Sequence, residues 1–159
     1  MVNMIKTEEK IFFSFFVDKL NVALPIEYIT KALPLAELKF LPNLPQSVIG
    51  LLNYQGDIYP VFDLRKLYRD EDLSLSINDH IIIGEKEGFK FGVLATRIVG
   101  NISKPFETTK QQSGPKHKNL LSNKYVQIED ELICLSDPAE FLLEDEKSQL
   151  SDILQQHNS

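Results

Sequence analysis

The chain has 159 residues and a mass of 18.2 kDa, with 17 Lys and Arg against 23 Asp and Glu, a formal charge of −6 and a pI of about 5.1. That length suits one domain or two small subdomains sharing a core, and the acid surplus argues against nucleic acid or an anionic membrane face as partner, since phosphate contacts need excess Lys and Arg. A lone Cys134 excludes a disulfide framework or a Cys-cluster zinc site, no apolar run approaches a bilayer span, and Met1 to Glu9 shows no basic-then-apolar leader, so a reduced cytoplasm is the expected compartment.

Short apolar strands separated by turns dominate the first half. Ile11 to Val17, with four Phe, passes through Asp18-Lys19 into Leu20 to Leu24, which reads as a β-hairpin whose first strand is buried on both faces. Pro25 ends that strand, Ile26 to Tyr28 makes one turn, and Ile29 to Leu33 forms another strand. Pro42 and Pro45, alternating with Leu41 and Leu44, mark an ordered loop. In the stretch from Gly50 to Leu64, two strands flank Gln55-Gly56-Asp57, where Gly56 supplies the positive φ of a hairpin turn. Pro60 cannot donate to a ladder and is expected at an edge or bulge, and Asp63 is placed to cap a short helix over Leu64 to Leu67.

The second half repeats the pattern without repeating the sequence. His80 to Gly84, a turn at Glu87-Gly88 and Phe89 to Leu94 form a hairpin; a turn at Ala95 to Arg97 precedes a strand from Ile98 to Ile102. Tyr125 to Ile128 and Leu132 to Leu135 flank the acidic turn Glu129-Asp130-Glu131. Asp137, Pro138 and Glu140 then combine a cap, a first-turn proline and an acid three residues after the cap, a strong helix-start signal. Closing such strands into barrels removes exposed edges, so the expectation is a mainly β fold of two five-stranded β-barrels. Outside the pattern lie the lysine-bearing polar loop Lys104 to Lys124, read as a solvated connection, and residues 144–159, an acidic stretch setting Leu150, Ile153 and Leu154 at helical spacing, read as a C-terminal helix or tail.

Nothing in the chain assembles a catalytic constellation. His80, His117 and His157 are scattered without acids or Cys at ligand spacing, no Gly-rich phosphate loop is present, and Cys134 sits in an apolar strand without a basic neighbour. Asp70-Glu71-Asp72 and Glu129-Asp130-Glu131 read as solvated turns, and Asp63 and Asp137 as helix caps. No cofactor or metal is expected.

The run from Leu44 to Arg65 resembles the signature of CheW-like domains, in which a Pro-containing loop leads to a Gly-strand-Asn-x-Arg-Gly hairpin followed by Pro-Val-x-Asp-Leu-Arg. Here those landmarks are Gly50, Asn53, Gly56, Pro60 and Asp63, with Asp137 in the place of the later cap, and the resemblance covers about residues 11–143. It implies two interleaved five-stranded SH3-like β-barrel subdomains and a non-enzymatic coupling protein. Such proteins join the cytoplasmic tips of chemoreceptors to the histidine kinase CheA in membrane-associated arrays, with no nucleic acid and no membrane insertion. By that resemblance the receptor-facing residues are Ile29, Lys31 and Leu33 on one strand and Gln55 and Gly56 at a hairpin tip.

Two positions depart from the family pattern: Gln55 stands where Arg is usual, and Lys31 where Glu is frequent. Gln keeps a donor and an acceptor but loses the charge and the five-donor fork, and Lys31 reverses a sign. Two alternatives stay open beside the coupling role: a CheW-like scaffold of another pathway, such as surface motility or gene regulation, and a small β-barrel module for nucleic acid or a small ligand, which the acidic pI and dispersed aromatics oppose. Ile29 and Leu33, with Phe40 and Leu41 nearby, fit either a barrel core or a docking surface.

Overall fold

A computed structural model describes residues 9–68, 75–105, 125–128 and 130–157. Most of the Lys104 to Lys124 loop, Asp70-Glu71-Asp72, Glu129 and His117 lie outside the described residues. Among the described residues ten strands run β1 (Glu9–Val17), β2 (Leu20–Pro25), β3 (Ile29–Pro34), β4 (Val48–Tyr54), β5 (Asp57–Phe62), β6 (His80–Lys86), β7 (Phe89–Ala95), β8 (Arg97–Pro105), β9 (Tyr125–Ile128) and β10 (Glu131–Leu135), with α1 (Leu64–Tyr68) and α2 (Glu144–His157). They form two five-stranded sheets, ordered β8-β1-β2-β10-β9 and β3-β6-β7-β5-β4. This is the mainly β, two-subdomain architecture with a C-terminal helix that the sequence leads one to expect. The sheets interleave along the chain: β1 and β2 take their partners from the second half, and β3 to β5 take β6 and β7.

The period-2 geometry of strands explains why so many of them read as continuous apolar runs. In β6, Ile81 and Ile83 enter a core within the second sheet, with Leu38, Leu52 and Val61, while Ile82 between them enters a different core. In β2, Val22 and Leu24 join that same second core while Ala23 turns into the first sheet with Phe12 and Ile133. The shared cluster is the largest of the three, so the main apolar core is a seam between the sheets, not the interior of either. At its centre the Phe62 and Phe141 rings lie 5.1 Å apart and Phe91 meets Phe141 edge-on at 5.9 Å. Cys134 is a buried member of this seam. Across the first sheet, Ser14 donates to Asn21 at 2.7 Å and Asn21 to Glu131 at 2.9 Å, satisfying polar groups that burial would otherwise strand.

Two local expectations are corrected. Pro60 is not on an edge strand, because β5 lies between β4 and β7; it is tolerated because the β5–β7 register begins only at Val61 opposite Gly92. Asp137 does not start the long helix. It caps a single 3₁₀ turn, Pro138–Glu140, by accepting from the Ala139 N–H at 2.9 Å. Phe141 and Leu142 then turn into the seam, which breaks the helical path, and α2 restarts at Glu144 with Glu146 accepting from the Leu143 N–H at 2.9 Å, half of a capping box. The longest described helix does follow Asp137, and its Leu150 is buried in the seam.

Candidate functional site

The five positions singled out on β3 and the β4–β5 tip fall at opposite ends of the second sheet's strand order, yet side chains bring the two ends together. Lys31 Nζ donates to Tyr54 Oη at 3.4 Å and lies 5.9 Å from that ring's centre, and Gln55 Nε2 donates to the same hydroxyl at 3.4 Å. Below them, Leu33 from β3 and Ile49 and Tyr54 from β4 pack on one cluster, so the sheet curls until its end strands face each other. Lys31 and Gln55 are exposed, Ile29 and Leu33 half-buried. Ile29 rests on the seam and Leu33 on the second sheet's interior, so each apolar side chain of β3 divides itself between core and surface. Phe40 is 68% exposed, whereas Leu41 is half-buried.

The tip is a tight turn with φ of +53° at Gln55 and +88° at Gly56. Two consecutive positive φ values define a type I′ turn, whose twist matches that of the flanking strands. Asn53 fastens it by accepting from the Gly56 N–H at 3.2 Å. Sequence reasoning recognised Gly56 but not that Gln55 must adopt the left-handed region too; the dipeptide position in a two-residue hairpin was the available signal. Gly50 is required differently: a Cβ there would lie 2.8 Å from the Leu38 Cβ, and Leu38 belongs to the segment bridged to β4 through Lys39 and Leu51.

Both capping aspartates also hold buried or half-buried cations, a role the capping reading missed. Asp63 caps α1 through the Arg65 N–H at 3.0 Å and also pairs with the Arg65 guanidinium at 2.9 Å. That guanidinium, 3% exposed, reaches Asp18 in the β1–β2 turn at 3.1 Å, so it ties α1 to the other sheet. Burial alone would lower the Arg65 pKa, but the hydrogen bonds to Asp63 and Asp18 outweigh it and hold the group above its ordinary value. Asp137 accepts from Lys86 Nζ at 2.7 and 2.8 Å, and the ammonium also lies 4.9 Å from the centre of the Tyr28 ring. The hydrogen bond to Asp137, only partly offset by burial, raises the Lys86 pKa. Among the described residues, no group of three or more His, Cys, Asp or Glu is placed to hold a metal ion, and no helix is long and apolar enough to cross a membrane.

Fold and site together define a two-sheet β protein with an exposed polar patch where β3 meets the β4–β5 tip. A family model described as the CheW-like domain matches residues 12–146, and the chain belongs to that family. It is similar to protein FrzA of Myxococcus xanthus, with 26% identity over 92 residues that make up 58% of this chain and 58% of that protein; the chain thus spans less than two thirds of that relative's length. In fold it is similar to the scaffolding protein TtCheW from Thermoanaerobacter tengcongensis, whose crystal structure superposes with a TM-score of 0.69 at 20% identity, covering 79% of this chain and 87% of that one.

Proposed function

We propose that this chain is a non-enzymatic adaptor that couples chemoreceptors of the methyl-accepting kind to the histidine kinase CheA, in the cytoplasm at membrane-associated receptor arrays. The observation that carries the reading is the CheW-like match across residues 12–146. The fold shared with a protein described as a scaffold supports it. Ile29, Lys31, Leu33, Gln55 and Gly56 form the receptor-facing set, and the contact of Lys31 and Gln55 with one tyrosine makes them a single polar patch beside half-buried apolar side chains. Such a surface suits a helix that offers apolar residues flanked by polar ones. A scaffold of another chemosensory pathway is the second reading, favoured by the altered charges at Lys31 and Gln55.

The decisive experiment titrates the purified chain against CheA-type kinase and receptor fragments from its own genome. Binding to the kinase without turnover by the chain is expected; binding to an unrelated partner with no affinity for such a kinase overturns the reading. The departure at position 55 sharpens it. A receptor matched to Gln55 lacks the acid that would meet an arginine, so Gln55→Arg leaves an unpaired guanidinium in the contact at a cost of about 2–5 kcal/mol. The variant should bind the native receptor more weakly and a conventional receptor more tightly, with kinase affinity unchanged. Equal affinities across the four receptor pairings would remove Gln55 from the interface.

A further inference from the structure

Among the described residues β3 pairs with β6 alone, and that pairing is irregular where the strand begins. Ile29 lies opposite Gly84 and Lys31 opposite Ile83, so Thr30 is the extra residue of a β-bulge. A strand bends at a bulge, so the regular ladder from Lys31 onward does not by itself fix where Ile29 points. The residues before the bulge take their place from Tyr28. Its carbonyl oxygen sits against Gly84, where a Cβ would be 2.1 Å away. Its ring centre lies 4.9 Å from the Lys86 ammonium, which donates to the two carboxylate oxygens of Asp137 at 2.7 and 2.8 Å. Asp137 is itself fixed, since it accepts from the Ala139 N–H at 2.9 Å and leads into the buried Phe141 and Leu142. An ammonium on a flexible stem follows the more rigid of its partners, and here that partner is Asp137. The Lys86 side chain is 17% exposed, so water and salt screen its hold on the tyrosine face less than they screen a surface pair.

We propose that Lys86 is a positioning residue for the receptor-facing surface: anchored on Asp137, it holds Tyr28 and so sets the direction of Ile29 at the start of β3, without touching the receptor itself. What β3 meets rests on the adaptor reading; what Lys86 does to β3 does not, and the two are tested separately. Lys86→Met keeps the stem and removes the ammonium, Lys86→Arg restores a cation, and Asp137→Asn removes the anchoring charge while keeping an oxygen for the Ala139 N–H. In the free chain, Lys86→Met and Asp137→Asn should both move the backbone amide resonances of Tyr28, Ile29 and Thr30 and leave those of Tyr54 and Gly56 in place. The binding probe is a receptor-tip fragment, used at a temperature where every variant is fully folded. Lys86→Met should bind it about fivefold more weakly, and Lys86→Arg should recover most of the loss. In a chain that already carries Ile29→Ala, Lys86→Met should cost nothing further, an outcome that a role in overall stability would not produce. Unmoved Tyr28 and Ile29 resonances overturn the proposal by themselves. So does a loss that adds in full to that of Ile29→Ala, which would put Lys86 in contact with the receptor. Moved resonances in a chain that binds no such fragment overturn the adaptor reading, and the positioning role falls with it.

Discussion

In the seam between the sheets Phe15, Phe62, Phe91 and Phe141 are each at most 1% exposed, and Arg65, the one buried cation among the described residues, is pinned by two carboxylates. On the β3 face, three consecutive residues from Thr30 to Ala32 are exposed, and the polar contacts among Lys31, Tyr54 and Gln55 are long, at 3.4 Å, and solvent-facing. The two regions share a sheet: Lys31 on β3 and Phe91 on β7 belong to the same curled sheet, yet one surface is set by close packing and the other stands in solvent. The contrast separates two kinds of sequence constraint. A change in the seam alters whether the chain folds, because close-packed interiors neither collapse nor expand without cost. A change on the β3 face alters what the chain meets, because a solvated side chain has little folding energy to lose.

Variants can break or sharpen that contrast. The largest effect is expected for Arg65→Met, which leaves Asp63, 1% exposed, without its cation; removing one member of a buried pair costs about 3–5 kcal/mol, read as a fall in the denaturation midpoint. Gly84→Ala comes next. A Cβ at that position would lie 2.1 Å from the Tyr28 carbonyl oxygen and 2.7 Å from the Phe91 ring, so the turn that leads into β3 must move away from β6, at about 1–3 kcal/mol or more. If Gly84→Ala folds with wild-type stability, then the start of β3 belongs with the adaptable face and not with the seam.

Lys86→Met probes the border between the regions, since Lys86 links the turn before β3, through Tyr28, to Asp137 before α2. A half-exposed pair of this kind is worth about 1 kcal/mol. Its pKa in the folded chain is raised above the ordinary 10.5, so the stabilisation is fully present below that value and is lost as pH rises through the folded pKa. The difference in melting temperature between wild type and Lys86→Met should therefore be constant through neutral pH and close at strongly alkaline pH. A gap that persists there would assign the effect to packing on Tyr28. The smallest effect is a gain: Gln55→Asn places at φ +53° a residue that tolerates the left-handed region, ahead of Gly56, and should stabilise the hairpin by about 0.5 kcal/mol. Chemical denaturation that shows a loss instead would mean that the Gln55–Tyr54 hydrogen bond outweighs backbone strain.

What was legible beforehand was whatever depends on near neighbours. The hairpins at Gln55-Gly56 and Glu87-Gly88, the cap at Asp63 and the 3₁₀-starting Asp137-Pro138 pair are decided by chemistry within three or four residues, and each has a turn or cap where the pattern puts it. The apolar run of β1 announced burial on both faces, and Phe12 does enter one core while Phe15 and Val17 enter another. The misread details, Pro60 and the start of α2, both turn on distant partners: β7 beside β5, and the seam that draws in Phe141 and Leu142.

The amino-acid sequence by itself therefore determined the strand inventory, the turn chemistry, the capping aspartates and the motif from Gly50 to Arg65, because periodicity and φ preferences act locally along the chain. Only the tertiary structure decided that β1 pairs with β8, that Arg65 reaches Asp18 across 47 residues and Lys86 reaches Asp137 across 51, and that Lys31 meets Tyr54 between the two end strands of a sheet. Those contacts depend on which strands lie side by side, and pairing over such separations is selected by the burial of two faces at once, a property of the assembled sheets that no short window of residues contains.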